Sequence, residues 1–562
     1  MGSIMPLKIN FIMMKIALAQ QNYHIGNFQE NVTKIISAIR QAQDDGADLV
    51  VFPELSVCGY PPLDLLDQKS FIEKCLRAVE SIAPVCKDIA AIVGGPAYND
   101  DPAGKSLFNS AFFLYHGKVV DQVNKSLLPT YDVFDEYRYF EPNRQFKVIQ
   151  FRGQKIGITI CEDIWDNQPA PNSLGRTRLY TLSPMEELSR LHPDLVINIS
   201  ASPFSTSHEK IKKKILKDYA GKYSVPIVYV NQVGAHTELI FDGASMVVNS
   251  SGNIVSELAW FREDFQVIDM GEVDRMDAVA HAEKETTEKI YEALILGIHD
   301  FFAKQGFSKA VLGLSGGVDS SVVAALAVEA LGQDNVAGLL LPSQFTSQHS
   351  IDDAVELAEN LGIDYHILRI DSLFEQYKKV LHPLFNNLPE DVTEENIQAR
   401  IRGNLLMAYS NKFGNILLNT SNKSEAAVGY GTLYGDLAGG LSVLGDVYKT
   451  QVYDLARYIN RSRTIIPANV LIKPPTAELR PNQKDSDSLP EYSVLDPILC
   501  RYIEQYKTPD EIVEEGFEED TVMQVIRMIN RNEYKRYQTP PILRISSKAF
   551  GPGRKMPLVA YF

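Results

Sequence analysis

Short apolar segments alternate with amphipathic helical stretches along most of the chain, and this rhythm constrains the fold more than any other feature. ADLVVFPEL (47–55), AAIVGGPAY (90–98), QKIGITICED (154–163), PDLVINISA (193–201) and VPIVYVNQVG (225–234) read as buried strands. NFQENVTKIISAIRQAQDDG (27–46) has helical spacing and a glycine stop. Such alternation predicts α/β layers, not an all-α or all-β fold. The rhythm breaks in a charged, then amphipathic stretch at 261–302, after which KAVLGLSGG, NVAGLLLP, IDYHILRI and GNILLNTS begin a second strand–helix series. At roughly 100–200 residues per domain the length predicts two to four domains, and the break divides the chain into 14–270 and 286–562. KPPTAELRPNQKDSDSLPEYS (473–493) is charged and proline-containing, and reads as a mobile loop.

Composition narrows the partners. The net charge of −16 argues against nucleic acid, so an anionic substrate must meet a local concentration of positive charge. Five cysteines are too few and too irregularly placed for a disulfide framework, and no CxxC pair or histidine cluster suggests structural zinc. No apolar run approaches the ~20 residues of a membrane span, and the start carries no signal-peptide cleavage pattern. The expected residence is cytoplasmic, away from membranes. Residues 1–13 read as a leading extension, because a convincing strand begins only at MKIALAQ.

In α/β folds, catalytic groups gather at the carboxyl ends of strands. Glu54 closes LVVFPEL, Lys125 closes KVVDQVNK and Cys161 closes IGITICED. A cysteine nucleophile needs a base for its proton and a cation for the oxyanion formed on attack. The three residues supply those roles. Glu162 and Asp163 disfavour a thiolate at Cys161, so a nearby cation is required, and Lys125 is the candidate. By type alone, the same three residues equally describe a buried inert thiol, a surface lysine and a strand-capping glutamate.

The surrounding segments separate these readings. FPELSVCGYPPLDLL (52–66), NKSLLPTYDVFDEYRYF (124–140), ICEDIW (160–165) and INISASPF (197–204) resemble the nitrilase superfamily, in particular its glutamine-hydrolysing branch fused to NAD synthetases. The resemblance implies an α-β-β-α sandwich with Glu54 as general base, Lys125 stabilising the tetrahedral intermediate and Cys161 as nucleophile. It further implies that Tyr131, Ser202 and Lys210 hold glutamine and that Glu136 orients Lys125. Cys58 is read as packing only.

LGLSGGVDSS (312–321) is a strand, a tight turn and a helix start, with glycines that admit a ligand to the backbone and N–H groups that favour an anion. It lacks the lysine of a GxxxxGK[ST] loop. SGGVDSS resembles the PP-loop of ATP pyrophosphatases, which implies a Rossmann-like adenine nucleotide alpha hydrolase-like domain. It also implies ATP contacts at Gly313, Leu314, Ser315, Gly316, Gly317, Val318, Asp319 and Ser320, with Mg²⁺ on Asp319. ENIQARIRGNLLMAYSN (395–411), the NKSE and YGDLAGG phrases within 417–453, PPTAEL (474–479) and NEYKRYQTPP (532–541) resemble NAD synthetases. That resemblance implies ATP contacts at Thr420, Lys449 and Thr476. It places deamido-NAD at Asn396, Arg400, Glu425, Asp436 and Lys535, with Glu425 also a metal ligand.

Together, the resemblances imply ATP-dependent amidation of deamido-NAD through an adenylated intermediate. Ammonia would come from glutamine, the products would include AMP, diphosphate and glutamate, and the enzyme would be a homo-oligomer. Two alternatives stay open from sequence: another PP-loop amidating ligase, and a nitrilase-type amidohydrolase with a regulatory nucleotide-binding domain.

Overall fold

The computed structural model describes residues 14–166, 179–279, 284–481 and 483–560; the leading extension 1–13 lies outside them. The chain divides into two units. The first comprises Met1–Phe204, His208–His236 and Phe241–Ala282, and the second Ser205–Ser207, Thr237–Ile240 and Glu283–Phe562. Among the described residues, no helix is long and apolar enough to cross a membrane.

The first unit is built on two six-stranded sheets. β1 (Lys15–Gln20), β2 (Leu49–Val51), β3 (Ala90–Tyr98), β4 (Leu107–Tyr115) and β5 (Lys118–Asn124) lie side by side, with Asp264–Asp269 flanking β1. β6 (Val148–Phe151), β7 (Gln154–Ile160), β8 (Leu195–Ser200) and β9 (Ile227–Asn231) continue into Met246–Val248 and Ile254–Glu257. The two-residue period of a strand sorts side chains between two apolar layers. Leu195, Ile197 and Ile199 of β8 join Ile16, Leu18, Leu49 and Val51 in a core shared by both sheets. Val196 faces the other way, onto Ile215, Leu216 and Ala220 of the helix His208–Tyr223. Helices α1 (Phe28–Asp44) and α2 (Lys69–Ile82) pack on the first sheet, α1 being capped by the Asn27 side chain. The layers run α-β-β-α.

The second unit carries one five-stranded, wholly parallel sheet, in the order Asp364–Ile367, Val336–Leu340, Ala310–Gly313, Ile416–Asn419, Leu441–Ser442. In chain order this is 3-2-1-4-5, the doubly wound arrangement, with its switch point between Ala310–Gly313 and Ile416–Asn419. Of these strands Val336–Leu340 is fully buried, whereas Asp364–Ile367, at the sheet edge, is largely exposed. The stretch 473–493, expected as a mobile loop, is pinned by polar contacts. Glu478 accepts from the hydroxyls of Ser347 and Ser350 at 2.8 and 2.9 Å, and Lys473 pairs with Asp353 at 2.9 Å.

In the first sheet, Gly94 fixes the backbone around Glu54. A Cβ at Gly94 would lie 2.4 Å from Leu55 N and 2.6 Å from Pro53 O, so only glycine lets β3 run against the main chain on either side of that glutamate. Gly94→Ala is expected to destabilise the first unit by about 1–3 kcal/mol through this overpacking, read as a lowered thermal midpoint; an unchanged midpoint would show the neighbouring backbone yields freely.

Candidate active sites

In the first unit, three separate segments end at one point. Glu54 lies three residues beyond β2, Lys125 directly follows β5 and Cys161 directly follows β7. Lys125 is fully buried, and its Nζ donates to Glu54 Oε1 at 2.7 Å and to Glu136 Oε2 and Oε1 at 2.7 and 2.8 Å. Burial alone would strip the proton from this ammonium, but Glu136 and Glu54 more than reverse that effect and raise its pKa well above the usual lysine value. Glu136 also accepts from the Tyr60 hydroxyl at 2.8 Å, and burial lifts its carboxyl against the opposing pull of Lys125.

Cys161 occupies the left-handed region, with φ +43°, an uncommon conformation for a residue with a side chain and one that clusters at functional sites. Its thiol is pushed well up by burial, then by the Glu54 carboxylate, while Lys125 opposes both. The negative charge acting on the thiol therefore comes first from Glu54, distant in sequence, then from Glu136, with the neighbouring Glu162 behind both. Asp163 is spent on backbone: Oδ1 accepts from Ser126 N and Leu127 N at 2.9 and 2.8 Å, and Oδ2 from Ile160 N at 3.0 Å. It clamps the segment after Lys125 to the turn that carries Cys161. Glu162 accepts from the hydroxyls of Tyr131 and Tyr180, both at 2.9 Å, and burial pushes it up to about 8.

Of the residues expected to hold glutamine, Tyr131 thus reaches the residue after Cys161, and Ser202 is buried with its N–H on Asn231 Oδ1 at 2.9 Å. Lys210 is exposed on the helix His208–Tyr223. The buried lysine of that helix is Lys212, paired with Asp242 at 3.0 Å. Cys58 is wholly buried, in keeping with packing.

In the second unit, a cavity of about 310 Å³ opens at the switch point. Gly313, Leu314, Ser315, Gly317, Val318, Asp319 and Ser320 line it, as do Thr420, Lys449 and Thr476. Gly316 has φ +73° and a Cβ there would fall 2.1 Å from Ser350 O, so the turn demands glycine. Ser315 Oγ accepts from Gly317 N at 3.1 Å, and the helix Val318–Leu331 begins immediately after. Across the cavity, Lys449 Nζ bonds Asp319 and lies 3.5 Å from Glu425. Asn422, which caps the helix Lys423–Val428, also donates to Asp319 Oδ1 at 2.8 Å. Glu425 is pushed up to about 8 by burial and by Asp319, against the pull of Lys449.

The remaining expected residues gather on the turn Gly429–Asp436. Asn396 accepts from Thr432 Oγ1, Arg400 donates to Leu433 O, Lys535 donates to Gly429 O and Gly431 O, and Asp436 accepts from Thr432 N. Asp436 and Glu425 line the cavity, whereas Asn396, Arg400 and Lys535 stand outside its lining. Arg402, which sequence reasoning passed over, does line it: burial lowers this guanidinium to about 10, and its Nε donates to Leu341 O. Sequence reasoning also passed over Asn109 and Asn422 and gave Asp163 no positioning role. Asn422 sits within the NKSE phrase and Asp163 within ICEDIW, whereas Asn109 lies on a strand with no motif to mark it.

Family models match both halves, a carbon-nitrogen hydrolase over 15–280 and an NAD synthase over 290–539. The glutamine-dependent NAD(+) synthetase of Synechocystis sp. is 46% identical over 98% of this chain and 99% of its own length. That of Thermotoga maritima is 42% identical over 98% and 99%. The structure of the glutamine-dependent NAD+ synthetase from Acinetobacter baumannii in complex with adenosine diphosphate superposes with a TM-score of 0.76 at 40% identity, covering 97% of this chain and 98% of that one.

Two outcomes are expected from these sites. Asp163→Asn keeps one carbonyl oxygen where two carboxylate oxygens served, leaving a buried amide unpaired at a cost of about 1–3 kcal/mol; thermal unfolding of the variant measures it. Lys449→Met strands Asp319 and Glu425 without their cation, a loss of about 3–5 kcal/mol. Glu425 holds its proton up to about 8 when folded, against an unfolded value of 4.5, so this unit loses stability as pH rises through that window. Because Lys449 is what holds Glu425 down to about 8, its loss raises that carboxyl further. The Lys449→Met deficit should therefore grow as pH rises above about 8 and stay level below it, and a deficit that does not grow above that pH would contradict the assignment.

Proposed function

Since the chain belongs to the glutamine-dependent NAD(+) synthetases, we propose that residues 14–270 release ammonia from glutamine and residues 286–562 use it to amidate deamido-NAD at the expense of ATP. The observation that carries this division is that one chain holds both a buried Glu54–Lys125–Cys161 cluster and a phosphate loop at the switch point of a parallel sheet.

In the first half, the Cys161 thiol gives its proton to Glu54 and attacks the side-chain amide of glutamine. The resulting oxyanion is stabilised by Lys125, which remains charged because Glu136 stays paired with it. Collapse expels ammonia and leaves a γ-glutamyl thioester, which water hydrolyses to glutamate. Tyr131, which donates to the residue after Cys161, supports a place for the amino acid beside the thiol, with Ser202 and Lys210 as its further contacts.

In the second half, the nicotinic-acid carboxylate of deamido-NAD attacks the α-phosphorus of ATP. Ser315, Gly316, Gly317 and Ser320 hold the departing diphosphate with hydroxyls and amides at the start of a helix. Ammonia then displaces AMP from the acyl adenylate, giving NAD. Lys449 and Arg402 supply the local positive charge that a chain of net charge −16 needs around its anionic substrates. Asn396, Arg400, Asp436 and Lys535 would meet deamido-NAD around the 429–436 turn, with Thr420 and Thr476 on ATP.

Asp319 and Glu425 fit a magnesium ion: both are carboxylates on the cavity wall, and Lys449 is one cation facing the two of them. When bound, the ion neutralises charge on the phosphates. Cytoplasmic residence and assembly as a homo-oligomer complete the proposal. The free cysteines and the exposed Val380, Leu384, Leu388 and Val392 support these two points, and a monomeric mass in solution would remove the second.

Cys161→Ala is expected to abolish NAD formation from glutamine while synthesis from added ammonium salt stays within about twofold of native. Equal loss of both would contradict the division of labour. Asp319→Asn should raise the magnesium concentration needed for half-maximal diphosphate release several-fold, measured with ammonium as the nitrogen source.

A further inference from the structure

Glu54 is asked to receive a proton, yet most of its carboxylate is already engaged. Oε1 accepts from Lys125 Nζ at 2.7 Å and from Asn109 Nδ2 at 2.7 Å, which occupies both of its lone pairs. Among the described residues Oε2 accepts only from Ala201 N, at 3.0 Å, and keeps one lone pair. Asn109 is 1% exposed and sits on β4. Its backbone carbonyl accepts from Lys125 N at 2.8 Å, so the same residue grips the main chain of the lysine and the side chain of the glutamate. Its amide orientation follows from chemistry, because a carbonyl oxygen facing an ionised carboxylate at 2.7 Å would repel it. Its own Oδ1 is buried with no hydrogen-bond partner. A buried acceptor left unpaired is costly, and here that cost accompanies the single bond its amide makes to Glu54.

We propose that Asn109 is a positioning residue for glutamine hydrolysis: it saturates Oε1 of Glu54 and so directs the proton of the Cys161 thiol to Oε2. This rests on the reading of Glu54 as general base. In the step itself the S–H bond of Cys161 breaks and its proton moves to Oε2. An S–C bond forms at the amide carbon, and the same proton then passes from Oε2 to the departing nitrogen as the C–N bond breaks. The Asn109 donor favours the ionised carboxylate that must be present at the start, and with Lys125 it leaves Oε2 as the oxygen with an open lone pair.

The test measures glutamine-dependent and ammonium-dependent NAD formation for Asn109→Ala, Asn109→Asp and Glu54→Gln in the full-length enzyme, with pH profiles of kcat/KM for glutamine. Asn109→Ala should lower the glutamine-dependent kcat by roughly 10- to 100-fold with ammonium-dependent synthesis retained, and should move the acidic limb of the profile to higher pH. Asn109→Asp has the native shape but replaces the donor with a second carboxylate, so its acidic limb should move further still and its loss should be the greater. A packing role predicts the reverse order, since alanine leaves a cavity and aspartate does not. Asn109→Asp closer to native than Asn109→Ala, or an acidic limb unmoved in both, overturns the inference. Glu54→Gln that still hydrolyses glutamine overturns the general-base reading itself, whereas an inactive Glu54→Gln beside unaffected Asn109 variants overturns only the role of Asn109.

Discussion

A lysine ammonium with no exposure to water lies between two carboxylates, and the first unit is arranged around keeping it charged. Lys125 loses its hydration entirely and recovers that cost only through Glu54 and Glu136, each within 2.8 Å. Such an arrangement tolerates little displacement, because a carboxylate moved off the lysine would be left buried without a counter-charge. The surrounding devices answer that intolerance: Tyr60 holds Glu136, Asn109 and Ala201 hold Glu54, and Asp163 fastens the segment after the lysine to the turn of the cysteine. The strained backbone at Cys161 persists because these contacts over-determine it.

The second unit solves a related problem by similar means. Lys449, nearly as buried, likewise faces two carboxylates, Asp319 and Glu425, across the cavity. The NKSE segment organises it. Asn422 caps its helix and fixes Asp319, Ser424 accepts from Lys449 N at 2.9 Å, and Lys423 turns away to pair with Asp446 at 2.9 Å. This one short segment thereby sets the loop, the lysine and the acidic wall.

How much of this was legible depended on the range of the interaction. β3, β7, β8 and β9 and the helix α1 coincide closely with their apolar or amphipathic segments, because burial on both faces writes continuous apolar runs. The sandwich, the doubly wound sheet, and the placement of Glu54, Lys125 and Cys161 just past strand ends were all readable. That Lys210 is exposed while Lys212 is buried was not legible, because lysines on one helix alternate between solvent and interior and local sequence does not say which is which. The 473–493 stretch has the composition of a free loop, and only its partners Ser347, Ser350 and Asp353, far earlier in the chain, hold it.

The sequence by itself determined the two-part α/β architecture, the chemistry of each half and the residue types that carry it, because these are set by local periodicity and by short contiguous motifs. Tertiary structure alone decided which charges confront one another. Glu54 outweighs Glu162 and Asp163 at the Cys161 thiol, Arg402 and not Arg400 lines the cavity, and an asparagine on a strand without a motif grips Glu54. The reason is physical: electrostatic and hydrogen-bond energies depend on separation in space and on exclusion of water, and a folded chain sets both with little regard for separation in sequence.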